Sequence, residues 1–441
     1  MSDKANPVAN KHAGGPRLKL AFISTIFLLP ADAGGKIRTG NILRGLQGGA
    51  FEITLLMPAT PEQQAHWADA LKGLCDHFVP WPAAQALPRW TRAAELLDTR
   101  PANVAHDDSR AARACVQRVL DETAFDVVVY DFVHAAVLRP ARTRASRGAR
   151  VLCFTHNVEA EILERHAQKA EGALMRRVWA SQAAKMRRFE AAALRAFDGV
   201  IAVSERDGRE FRKAYGIADP QVIPTGVDLD FFSWQPPAVP GAPGAGDPPT
   251  AVFTASMDSA ANIDGVRFFI QDVWPLVLAH QADARFVVIG RNPPAALLRE
   301  AEGVAGVRFT GYVDDVRDHV RPAQVFVMPL RVGGGTRLKA FEGMAMGCPV
   351  ASTAIAIEGL DVTPGEHYLL ADTAAELAKA VLNLFLDAGL RLRLSKAARH
   401  RVESQFGHRV AAAAFERICL NACDAGSQRA AAGAVTAPAL A

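Results

Sequence analysis

The stretch Arg331-Val332-Gly333-Gly334-Gly335-Thr336-Arg337-Leu338-Lys339-Ala340-Phe341-Glu342 gathers residue types suited to holding a diphosphate. Gly333, Gly334 and Gly335 let backbone N–H groups approach an anion closely. Thr336 stands where a helix begins, and a helix N-terminus adds positive potential. Arg337 and Lys339 bring fixed charge to the same turn. Glu342 lies about one and a half turns further on, placed to accept from the hydroxyls of a nucleotide ribose. The set fits a sugar linked to a diphosphate. The competing reading is an ordinary Gly-rich strand-to-helix turn, which three glycines alone do not exclude.

Two places in the first half of the chain have comparable potential. Thr155-His156-Asn157-Val158-Glu159 comes directly after an apolar run, so His156 sits at the C-terminal end of a strand, where ligand-facing groups are found in α/β sheets. A structural histidine is the alternative. The loop Ala33-Gly34-Gly35-Lys36-Ile37-Arg38 comes after the first strand. Gly34 and Gly35 permit close backbone approach to a ligand at a helix N-terminus, and Lys36 and Arg38 offer charge for a phosphate. A plain surface helix start is the alternative here.

These residues need strands and helices to aim them. Short continuous apolar runs suited to buried parallel strands occur at Leu18–Ser24, Phe51–Met57, Phe125–Tyr130, Val151–Thr155, Gly199–Val203 and Val222–Pro224. A second set lies at Ala251–Thr254, Arg285–Ile289, Val307–Thr310, Val325–Met328 and Pro349–Ser352. Helical patterns alternate with them, among them Lys36–Gln47, Ile263–His280, Arg337–Met346, Ala374–Asp387 and Gly389–Ser404. Between the two sets, residues 235–250 hold six prolines and three glycines, the composition of a linker. The expected organisation is a flexible tail over 1–17, an N-terminal domain over 18–234, the linker, and a C-terminal domain over 251–404. A helix over 405–424 returns to the first domain, and 425–441 form a disordered tail. Two strand–helix series imply an α/β protein of two doubly wound, Rossmann-like domains facing across a cleft.

Composition bounds the rest. A chain of 441 residues exceeds what a single core supports, and 50% hydrophobic with 22% charged residues suits a globular protein. A net charge of +4 with 7% aromatics gives no pointer to nucleic acid. The six cysteines are dispersed, show no zinc spacing, and read as reduced residues of a cytoplasmic protein. No signal peptide or membrane span is expected. The first strand lacks the Gly-x-Gly-x-x-Gly that an NAD oxidoreductase would need after it. The segment Arg165–Arg195 reads as one long basic helix. Its bland reading is a solvated face, and contact with an anionic membrane is the alternative.

From about Thr250 to Phe406 the chain resembles the C-terminal domain of retaining family 4 glycosyltransferases, which have the GT-B fold. Glu342 matches the second glutamate of that family's two-glutamate motif. Gly343-Met344-Ala345-Met346-Gly347-Cys348-Pro349-Val350-Ala351 matches the alanine-rich helix, Gly-x-Pro and small-residue strand that come after it. The first half is similar too, through His156 to Glu159, Val203 to Glu205 and Gly226 to Asp228. Gly334 replaces the family's first glutamate, which contacts the donor sugar. Ser256 stands where many relatives carry an arginine that holds the diphosphate. A Gly-Gly-Gly-Thr-Arg-Leu-Lys branch of the family shows both changes.

The resemblance implies sugar transfer from a nucleotide-diphosphate sugar to a glycan or lipid-linked acceptor, with retention of configuration, in cell-surface polysaccharide or glycoconjugate synthesis. It implies catalytic roles for His156, Arg337, Lys339 and Glu342, with His156 at the junction of donor and acceptor. Gly333, Gly334, Gly335, Thr336, Arg291 and Ser256 would bind the donor, although Arg291 also reads as a solvated loop charge. Gly34, Gly35, Lys36 and Arg38 would border the acceptor. No cofactor and no essential metal are expected, because the helix N-terminus and basic side chains would stabilise the leaving diphosphate. The implied location is cytoplasmic, with the inner face of the membrane as an option. A nucleotide-sugar epimerase of the same fold and a non-catalytic relative that only binds nucleotide-sugar stay open.

Overall fold

The computed structural model of the protein describes residues 16–31, 34–83, 96, 98–170, 172–224, 226–237, 248–332, 338–358 and 360–435. The chain forms two compact units. One runs to Pro224 and resumes at Ala411, and the other is Thr225–Val410.

The first unit is built on a seven-stranded parallel sheet in the order β3-β2-β1-β4-β5-β6-β7. Its strands are β1 (Leu18–Ser24), β2 (Phe51–Pro58), β3 (His77–Trp81), β4 (Val127–Asp131), β5 (Arg150–Phe154), β6 (Gly199–Ala202) and β7 (Gln221–Val222). The second unit holds a six-stranded parallel sheet in the order β10-β9-β8-β11-β12-β13. Those strands are β8 (Thr250–Thr254), β9 (Arg285–Ile289), β10 (Val307–Gly311), β11 (Val325–Met328), β12 (Val350–Ser352) and β13 (Leu369–Leu370). The apolar runs form strands where helices bury the sheet, as at β4, where every residue is buried. Strand order reverses between β1 and β4 in one sheet and between β8 and β11 in the other. Ligands of doubly wound sheets bind beyond the strand ends at such reversals.

The helix His408–Val435 closes the first unit. Its Phe415 meets Phe22 of β1 and Phe154 of β5 at ring distances of 6.2 and 5.3 Å. Glu416 accepts from the Ala50 N–H at 2.9 Å. This helix is described to Val435, past the point where the sequence reads as tail.

Several sequence expectations are corrected. Residues 226–234 belong with the second unit, not the first. Val227 donates to Phe406 O and accepts from His408 N, at 2.8 and 2.7 Å. Trp234 donates to Ser395 Oγ at 3.0 Å and lies against Gly347, whose φ of 87° excludes most side chains. The basic segment Arg165–Arg195 is not one helix. It is split into Glu159–Lys169 and Ala173–Arg195, with Gly172 at φ 82° opening the second. The pattern Ile263–His280 is likewise interrupted. Ala260–Phe268 passes through a π-helical turn, Phe269–Val273, into Trp274–Leu278. Pro275 lacks the N–H that a continuous ladder needs there, and a widened turn accommodates it. No helix among the described residues is long and apolar enough to cross a membrane.

Candidate active site

In the first unit the strand-order reversal is marked by a buried polar cluster. Ser24 ends β1, Asp131 ends β4, and the two are register partners. Ser24 Oγ donates to Asp131 Oδ2 at 3.0 Å. Thr39, one turn into the helix Gly34–Leu46, donates to the same carboxylate at 3.1 Å. His156 comes just after β5 and places Nε2 2.8 Å from Asp131 Oδ1. Its Nδ1 lies 3.3 Å from an Arg38 Nη1, itself an obligate donor. The tautomer is therefore fixed: Nε2–H donates to Asp131, and Nδ1 accepts from Arg38.

Electrostatics agree with a neutral ring. Burial pulls the His156 pKa down and Arg38 adds to this, outweighing the opposite pull of Asp131. Burial also lowers the Arg38 guanidinium to about 10 against the pull of Asp207 and Asp131. Phe132 stacks on the imidazole at 4.0 Å and Phe154 leans on it at 4.4 Å. Phe132 holds a left-handed φ of 65°, uncommon for a bulky residue and a sign that the position is over-determined. Gly35 is required beneath it, because a Cβ there would come 2.5 Å from Phe132 Cζ.

Glu190 braces the loop that carries His156. Its carboxylate accepts from the N–H groups of Glu159 and Ala160 at 3.0 and 3.2 Å and from Tyr215 OH at 2.8 Å. It thus caps the helix Glu159–Lys169 from a neighbouring helix, where Val158 offers no side-chain cap. Burial raises its pKa to about 7 despite these bonds.

The second unit presents a different surface at its own reversal. Lys339 and Glu342 meet in the first turns of the helix Leu338–Met346, with Nζ to Oε2 at 2.8 Å. Glu342 is buried, whereas the lysine side chain is 44% exposed. Ser256 and Arg291 converge on one acid: Ser256 Oγ donates to Asp258 at 2.6 Å, Arg291 Nε at 3.3 Å and Asn292 at 3.0 Å. These bonds, Ser256 first, hold the Asp258 pKa below the usual carboxylate range. Gly290 allows this meeting, since a Cβ there would fall 1.7 Å from Ala255 O. Arg331 forms a forked pair with Asp264 and lies over the Phe268 ring at 4.5 Å.

The fold thus gathers His156 and Arg38 at one site, with Gly34, Gly35 and Lys36 on the adjoining turn, and Lys339 with Glu342 at another. Gly333, Gly334, Gly335, Thr336 and Arg337 lie outside the described residues. Arg291 and Ser256 meet Asp258, an acid to which the sequence pattern assigns no role. Asp131, Thr39, Ser24 and Glu190 are further additions from the structure. Asp131 carries the same signal as His156, a polar residue at the end of a buried strand, and that rule applied evenly finds it.

Comparison with known proteins agrees with this fold. Residues 34–231 match the family model described as Glycosyltransferase Family 4, and residues 248–387 match that described as Glycosyl transferases group 1. Sucrose-phosphate synthase from Thermosynechococcus elongatus superposes with a TM-score of 0.62 at 19% identity, covering 94% of this chain and 100% of that one. HepE of Anabaena in complex with UDP gives 0.64 at 12% identity, over 92% and 100% of the two chains. An uncharacterized 44.6 kDa protein in the cps region of Klebsiella pneumoniae is 24% identical over 139 residues, which are 30% of this chain and 36% of that relative's length. The fold and the two family models together define a glycosyltransferase of the GT-B class. Its first unit carries the family 4 domain and its second the group 1 domain.

Proposed function

We propose that this enzyme moves a sugar from a nucleotide-diphosphate sugar to a glycan or lipid-linked acceptor with retention of anomeric configuration, in cell-surface polysaccharide or glycoconjugate synthesis. The observation that carries the reading is the Lys339–Glu342 pair at the head of the helix behind the glycine run. On donor binding, a ribose hydroxyl takes Glu342 and the diphosphate takes Lys339. Arg337 and the backbone N–H groups of Gly333, Gly334 and Gly335 complete the cradle, with Thr336, Ser256 and Arg291 on the donor side. The leaving diphosphate then carries its developing charge into fixed positive potential, and no metal or cofactor is needed. His156 lines the reacting centre, with Gly34, Gly35, Lys36 and Arg38 on the acceptor side. Structures of HepE with UDP and with UDP-glucose support the donor class.

Contact with the inner membrane face belongs to the same reading. Leu174 and Met175 stand 75% and 45% exposed beside Arg176 and Arg177 at the start of the helix Ala173–Arg195, a combination suited to an anionic interface.

The test is turnover of purified protein with a panel of UDP-, GDP- and ADP-sugars, with and without acceptor glycans. Product with the anomeric configuration of the donor is expected. An inverted product, or an epimerised donor formed without acceptor, overturns the proposal.

A further inference from the structure

Residues 139–150 read Arg-Pro-Ala-Arg-Thr-Arg-Ala-Ser-Arg-Gly-Ala-Arg, five arginines in twelve positions and no acid. The segment runs from the end of the 3₁₀ helix Val133–Leu138 to the first residue of β5. It borders a groove of about 680 Å³ on the first unit. Arg139, Arg142, Arg147 and Arg150 rim the groove, and Val128 and Tyr130 of β4 are among its apolar lining. None of the active-site residues described above lines it.

The segment is held in place, so its charges are presented and not trailing. Ser146 is buried. Its Oγ donates to Thr123 O at 2.7 Å and accepts from Phe125 N at 3.3 Å, while its own N–H donates to Leu120 O. Arg139 donates to Ala196 O and lies over the Phe197 ring at 5.2 Å. Asp198 is the one acid lining the groove. It faces Arg150 at 3.5 Å and accepts from Val151 N at 2.8 Å. Arg142 and Arg147 are exposed, and neither forms an ion pair with any described residue. The rim therefore has a net excess of positive charge, built from planar forks. Lysine would supply the charge, but only arginine matches two oxygens of one phosphoryl group.

We infer that this groove is a second anion site, which binds phosphoryl groups presented more than one at a time, on one molecule or on neighbouring headgroups of a membrane. The two unpaired guanidiniums take the phosphoryl oxygens. The phosphates come either from a free oligophosphate or from lipid headgroups, and the two sources are separable. The full chain is titrated with inorganic tripolyphosphate by calorimetry and, separately, with phosphatidylcholine vesicles with and without phosphatidylglycerol. Arg142→Ala/Arg147→Ala, at sites remote from the proposed sugar chemistry, is compared with Lys339→Ala, which removes a cation of the proposed donor site.

Tripolyphosphate affinity is expected to fall by on the order of a hundredfold in the double variant. The conservative Arg142→Lys/Arg147→Lys should keep part of the binding. A component that survives Lys339→Ala and vanishes in the double variant assigns the site to a free oligophosphate. Loss of phosphatidylglycerol-dependent vesicle binding in the double variant alone assigns it to lipid headgroups. If the double variant retains wild-type affinity for both probes, the inference is overturned. Sugar transfer by the double variant in free solution should be unchanged, so a failure here is distinct from a failure of the proposed activity.

Discussion

The two strand-order reversals of this molecule treat charge in opposite ways. At the first, Asp131, His156 and Arg38 are all buried and bonded to one another, with Ser24 and Thr39 closing the carboxylate. At the second, Lys339 and Arg291 sit half exposed, each paired with an acid. A buried network is fixed before any ligand arrives and loses heavily if one member is removed. Exposed pairs contribute little on their own and exchange partners readily. The first site is thus a rigid frame, and the second is a set of exposed charges free to exchange partners.

The sharpest way to break this contrast is to remove the centre of the frame. Asp131→Ala leaves the His156 Nε2–H and the Thr39 and Ser24 hydroxyls without their acceptor. Stability to urea should fall by about 3–5 kcal/mol. A loss below about 1 kcal/mol would mean that water fills the gap and the frame is soft.

Glu190 tests the same frame through pH. Its carboxyl binds a proton more tightly in the folded chain, at about 7 against an ordinary 4.5. The associated stability is complete below about 4.5 and is lost as pH rises through about 7, a change on the order of 3 kcal/mol. Glu190→Gln cannot titrate, so wild type should lose stability relative to the variant as pH rises across that window. Subtracting the two curves cancels His156, whose depressed pKa acts with the opposite sign, its stability being lost as pH falls below about 6.5. A pH-independent difference would show that Glu190 stays ionised.

The sequence made some of this legible and hid the rest for physical reasons. Buried parallel strands announce themselves as apolar runs, which is why β9 and β11 were readable to the residue. The edge strand β3 was missed because Pro80 and His77 disguise it, and β13 because two residues make no pattern. At the sites, His156, Arg38, Lys339 and Glu342 stand out in the sequence because each lies next to glycines or within a motif. Glu190 sits mid-helix, 31 residues from the N–H it caps, and no local spacing reveals such a partner. Asp258 is assigned no role by the sequence pattern. Its grip on Arg291 depends on Gly290 letting two loops meet.

The exposed site is tested kinetically. Lys339→Ala and Arg337→Ala should each lower kcat/KM by an amount equivalent to about 2–4 kcal/mol, as for a lost oxyanion donor, with little effect on folding. The split matters more than the size. A fall in kcat at unchanged KM places the charge on the leaving diphosphate in the transition state. A rise in KM alone makes the residue a uniform donor-binding group. Near-normal transfer in both variants removes them from the mechanism.

The smallest expected effect discriminates best between the two readings of Arg291. Asp258→Asn keeps the side chain's shape and removes the charge on which Arg291 rests. If Arg291 turns to the donor when the diphosphate arrives, releasing it in advance strengthens binding, and KM for the nucleotide-sugar should fall by at most about fivefold, the range of an exposed ion pair. The Ser256 hydroxyl, freed from the same carboxylate, acts in the same direction. An unchanged KM, with the Arg291→Ala variant equally silent, returns Arg291 to the solvent. The diphosphate charge is then left to Lys339, Arg337 and the backbone behind them.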